Sequence, residues 1–119
     1  MVVAVTIVAA ALFAGMGVHG LAAPARLVAP FDISLGTATS RAEVRAVYGG
    51  FGLAIAAILV VALTSPELRS GILLTVAAAL AGMAFGRLAS VPDGRTSFYP
   101  NWFYFVVESV VAAALFVVA

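Results

Sequence analysis

Four long apolar stretches, separated by short polar connections, fill nearly all of this chain, and that pattern confines it to a membrane. Apolar residues make up 65% of its 119 residues, charged residues 9%, and the mean hydropathy is +1.21. Soluble domains carry about 25% charged residues. A domain of this size buries only roughly 60–70% of its surface. Water cannot be the main solvent of such a chain, so lipid must face most of it. The fold predicted is all-α: an integral membrane, antiparallel four-helix bundle in up-down-up-down order, one domain over residues 1–119.

The helices are predicted at about residues 2–23, 40–64, 67–90 and 100–119. The first holds no formal charge, and at 1.5 Å per residue it reaches about 33 Å, enough to cross. It is longer than a signal-peptide core and lacks a basic leader, so it reads as a retained span. Pro24 ends it. The linker 24–39 mixes Leu27, Val28, Phe31, Ile33 and Leu35 with Arg26, Asp32 and Ser34, a mixture suited to the headgroup region. Ser40 and Glu43 have the spacing of a capping box at the start of the second helix. Ser65-Pro66 and Pro92-Asp93-Gly94 mark turns, and Pro100 suits the first turn of the fourth helix.

Ala14-Gly15-Met16 recurs as Ala81-Gly82-Met83, and Leu21-Ala22 recurs as Leu88-Ala89 at the same offset. This is the pattern expected of a duplicated helical hairpin. Chance matches in a chain so rich in Ala, Gly and Leu are the competing explanation.

Arginine placement predicts orientation. Arg26, Arg41, Arg45, Arg87 and Arg95 fall on the side of the first and third linkers, and Arg69 alone falls opposite. The positive-inside rule puts the five-Arg side in the cytoplasm and both termini outside, in a bacterial cytoplasmic membrane. Tyr99, Trp102 and Tyr104 fit an aromatic belt at that boundary.

Absences exclude whole classes of chemistry. No Cys means no disulfide, iron–sulfur cluster or thiolate metal site. No Lys means no retinal Schiff base. A single His cannot supply two ligands to a haem. No metal-ligand spacing and no nucleophile–base pair is present, so an enzyme is the least supported class, although two carboxylates and a His suffice for some membrane enzymes. The net charge of +1 and the lack of a basic run give no case for nucleic acid.

Helix association in lipid depends on close backbone approach and interhelical hydrogen bonds. Gly15, Gly50, Gly82 and Gly86 sit in small-residue stripes that predict packing faces within the bundle, or an interface for self-association. Antiparallel helices also bring His19, Glu43, Arg45, Tyr48, Arg87, Tyr104 and Glu108 to similar depth. An isolated charge at mid-membrane costs about 2.5–3.5 kcal/mol on insertion scales. Glu108 is the deepest acid and most needs a partner. Arg87 and Arg45 are its candidates, and Glu43 takes the other or stays with its cap. The cluster reads as a structural ion-pair lock, as a ligand or ion site, or as shallow side chains snorkelling to water.

The segment Arg41-Ala-Glu43-Val-Arg45-Ala-Val-Tyr48-Gly49-Gly50, with Gly86-Arg87-Leu88, the Asp93-Gly94 turn and the late acid Glu108, resembles a bacterial family of small four-helix membrane proteins catalogued as domain-of-unknown-function family 4345. The resemblance covers nearly the whole chain. It implies a four-helix bundle and importance for the charged positions, and it implies no activity.

Three functions compete. The favoured one is a non-catalytic accessory or assembly subunit of a larger membrane complex, such as a respiratory or photosynthetic one, with lipids and other subunits as partners. The second is a binder of a small amphipathic molecule (a quinone, lipid or pigment) at the polar cluster, where small residues leave room for a tail. The third is a small dimeric transporter, which lacks here the first-helix acid of the small multidrug transporters.

Overall fold

A lipid-facing backbone has no water to bond, so a spanning segment must satisfy its own N–H and C=O groups. The computed structural model, which describes residues 1–119, meets this requirement with helices alone. Helix α1 is Val2–Ala22, α2 is the short Pro24–Val28, and α3 is Ala38–Val44. A π-helical turn, Arg45–Gly50, joins α3 to α4, Phe51–Thr64, in one unbroken span. Helix α5 is Pro66–Ala89. A second π-helical turn, Phe98–Trp102, containing a cis Tyr99–Pro100 bond, leads into α6, Phe103–Val118. Four of these helical stretches are long and apolar enough to cross a membrane. Only 21 of 119 residues are buried, and Phe85, Val110 and Val117 are more than half exposed, as a lipid-solvated bundle requires.

The spans form two antiparallel hairpins. Helix α1 packs along α4, and α5 packs along α6. Ser65 alone separates α4 from α5, so the hairpins are pinned together at that end. There Arg69 donates from Nε to the Ala62 carbonyl (2.8 Å) and from Nη2 to the Leu63 carbonyl (3.2 Å). It thereby satisfies carbonyls that the C-terminus of α4 leaves free. The core lies in the same half, which also holds the chain termini. Phe13 of α1, Leu59 of α4, Leu73 and Val76 of α5 and Leu115 of α6 meet in it. The buried Thr6 hydroxyl donates to the Val2 carbonyl of its own helix at 2.6 Å.

Glycines set the α1–α4 distance, and they are not the ones the spacing predicted. A Cβ on Gly17 would lie 2.7 Å from the Leu53 backbone nitrogen, and one on Gly52 would lie 2.8 Å from the Phe13 carbonyl oxygen. Gly20 and Gly49 meet across the same crossing. The backbones touch because apolar surface alone cannot draw helices together in lipid. Gly15, Gly82 and Gly86 have nothing within 4 Å of such a Cβ, and Gly50 meets only the Arg45 carbonyl oxygen at 3.8 Å. The reason is rotational setting: α5 turns Leu73, Leu80 and Ala84 inward, which leaves Gly82 and Gly86 on the outer face.

The second span also starts earlier than its predicted cap. Thr37 is the cap: its hydroxyl accepts from the Ser40 N–H, and the Ser40 hydroxyl accepts from the Thr37 N–H, each at 3.1 Å. A Ser at the third helical position closes the reciprocal box as a Glu would, so Ser40 serves inside the helix and Glu43 is left exposed.

Gly17→Ala should therefore lower stability by about 1–3 kcal/mol, the usual cost of overpacking against atoms that cannot yield. Gly82→Ala should leave it unchanged or slightly raised. Thermal unfolding of both variants in one mild detergent checks the pair, and equal losses would contradict the assigned crossing.

Candidate functional site

Away from the Ser65 end the two hairpins draw apart, and a cavity of about 470 Å³ lies between them. Its walls are apolar: Leu12, Gly15 and Met16 of α1, Leu80 and Met83 of α5, and Val107 and Val111 of α6. The first linker covers it. Pro24 opens α2, whose Val28 is buried, and a 3-10 turn carries the chain to Phe31. Asp32 then takes a left-handed backbone (φ 61°), a conformation Asp tolerates better than most residues. Leu27, Val28, Phe31 and Ile33 face the cavity from this linker.

An ion pair forms its polar floor. Arg87 continues the inward stripe of α5 at heptad spacing from Leu73 and Leu80, and Glu108 continues that of α6 from Leu115. The two stripes face each other, so the charges meet. Arg87 Nε lies 2.8 Å from Glu108 Oε1 and Nη2 lies 2.9 Å from Oε2. This parallel two-bond geometry is the strong form of the contact. The Glu108 side chain is 5% exposed and that of Arg87 20%, so water screens the pair little. The third nitrogen, Nη1, donates to Asn101 Oδ1 at 3.4 Å, and Asn101 Nδ2 donates to Thr96 Oγ1 at 3.3 Å. The rings of Phe31 and Tyr104 each lie 5.7 Å from the guanidinium carbon, and 5.5 Å from one another. Cation–π contacts of this kind are worth about 0.5–2 kcal/mol. Phe31 thus ties the first linker to the second hairpin.

Five of the seven polar residues singled out in the sequence line this one cavity: His19, Tyr48, Arg87, Tyr104 and Glu108. Tyr48 reaches it from the π-helical turn of the second span. Glu43 and Arg45 do not. Arg45 donates from Nε to the Leu21 carbonyl at 3.0 Å and so caps the C-terminus of α1. That leaves Arg87 as the partner of Glu108. Gly15, expected at a helix crossing, borders the cavity instead.

Sequence reasoning missed Phe31 and Asn101. Asn101, Tyr104 and Glu108 have i, i+3, i+7 spacing, one face of a helix, and that polar stripe was the available signal for Asn101. Phe31 carried none, because a contact from a linker to a distant hairpin leaves no local pattern.

Four membrane-spanning helices around a cavity floored by a buried ion pair define a small multi-pass membrane protein. More particularly, the chain belongs to the family described as Domain of unknown function (DUF4345), which it matches over residues 2–119. No curated protein and no solved structure matches it.

Glu108→Ala should destabilise the protein by about 3–5 kcal/mol, because it strands a mostly buried guanidinium. Thermal unfolding in detergent measures the loss, and wild-type stability in that variant would contradict the burial of the pair.

Proposed function

We propose that this protein is a non-catalytic, multi-pass protein of a bacterial cytoplasmic membrane that holds a small amphipathic molecule of the quinone, lipid or pigment type between its hairpins. The observation that carries this reading is the coincidence of apolar walls and a polar floor in one cavity. At about 470 Å³ it falls within the 300–1,000 Å³ common for small-molecule sites. A tail can lie along Leu12, Met16 and Val111 while a head reaches His19, Tyr48 and Tyr104.

The accessory-subunit reading rests on short linkers and the lack of a soluble domain. The cavity is a more specific observation, and it favours the binder. A proton-coupled transporter needs its acid free to exchange protons, and the two-bond hold of Arg87 on Glu108 argues against that role. The arginine bias supports placing the linker side, and with it the cavity floor, toward the cytoplasm.

Gly15→Leu provides a clean test. Gly15 borders the cavity, and a Cβ there meets nothing within 4 Å, so a larger side chain can start from this position without a clash at its root. Native mass spectrometry of gently extracted wild-type protein should detect a co-purifying amphiphile. Gly15→Leu should lose it while keeping the wild-type helical content, and Gly82→Leu, on the outer face, should keep it. Retention of the amphiphile by Gly15→Leu, or none in the wild type, would refute the reading.

A further inference from the structure

We infer that the molecule held in this cavity has an uncharged head bearing carbonyl or hydroxyl groups, and that His19, Tyr48 and Tyr104 read it. This rests on the binder reading and narrows it. Arg87 and Glu108 are the only formally charged residues on the lining, and together they sum to zero. Each already has the other as its counter-ion. Each of the three guanidinium nitrogens already donates inside the protein, two to Glu108 and one to Asn101, and both carboxylate oxygens accept. The Phe31 and Tyr104 rings lie side by side against the guanidinium as well. An anionic head at the two remaining Arg87 N–H groups would also meet the Glu108 charge, and a cationic head at Glu108 would also meet Arg87, so neither gains a net counter-charge in this low-dielectric site.

The other polar side chains on the lining are one imidazole and two phenols. These groups both donate and accept, and they match neutral oxygen groups. They come from three spans: His19 from the last turn of α1, Tyr48 from the π-helical turn of the second span, and Tyr104 from the first turn of α6. A head contacting all three would bridge the two hairpins at the end where they part.

The experiment compares two probes with one tail and different heads, 1-monomyristoylglycerol and myristate. Protein in phosphatidylcholine nanodiscs is titrated with each, and binding is read from the rise in melting temperature and from native mass spectrometry. The monoglyceride should bind at least about tenfold more tightly than myristate. Tyr48→Phe/Tyr104→Phe should remove most of that preference without lowering the melting temperature of the protein alone. Myristate binding as well or better, with both probes blocked by Gly15→Leu, would overturn the uncharged-head assignment and leave the cavity reading intact. Failure of both probes to bind, with no co-purifying molecule in the wild type, would overturn the two together.

Discussion

A guanidinium or carboxylate in a hydrocarbon layer must find its opposite, and in this protein that requirement shapes one whole end of the bundle. Arg87 and Glu108 reach one another because each occupies the inward stripe of its helix. Their pairing joins α5 to α6 by a directional contact, which apolar side chains, at home in lipid, do not supply. Everything near the pair then has a defined place. Asn101 holds the third nitrogen, Tyr104 and Phe31 lie side by side against the guanidinium, and the first linker is drawn across the mouth of the cavity. A buried pair of this kind is weak support for stability as such. What it gives the cavity is a polar surface of zero net charge.

Two other arginines follow a related rule. Arg45 and Arg69 each reach back to the preceding span and donate to its last free carbonyls. In lipid or at its boundary, such carbonyls have few other donors. Charge is thus used where helices end, and backbone contact is used where they cross. The Gly17–Gly52 crossing of the first hairpin is a backbone contact, with Arg45 at its end, whereas an ion pair lies within the second hairpin. This division lets the hairpins touch firmly at the Ser65 end and part at the other, where the cavity forms.

Much of this was legible in the sequence, and the failures have physical causes. Continuous apolar length made the four spans readable, because lipid leaves few alternatives to a helix. The cost of an unpaired charge predicted that Glu108 would seek an arginine. What the sequence could not give was rotation about each helix axis. When every face is apolar, pattern does not distinguish the face that meets protein from the face that meets lipid. Gly82 and Gly86 therefore looked like a packing pair within the bundle, yet they point outward, while Gly17, Gly20, Gly49 and Gly52 make the contact inside it. The cap lies at Thr37 instead of Ser40 because Ser40, as the third helical residue, closes the reciprocal box with Thr37, a local pairing that the Ser40–Glu43 spacing obscured. Arg45 looked equivalent to Arg87 in depth, and the difference lay in which carbonyl or carboxylate each could reach.

The proposed role follows from the same geometry. A neutral polar floor under apolar walls suits an amphipathic guest better than a charged substrate or a proton relay, and it depends on the floor being internally compensated. The most direct measurement of that claim is a double-mutant cycle on Arg87→Leu and Glu108→Leu, followed by thermal or denaturant unfolding in one detergent. The account predicts that the double variant is much less destabilised than the sum of the single variants, with a coupling energy of about 1–3 kcal/mol. Additive losses would show that the two charges do not sense each other, and the site described here would not exist.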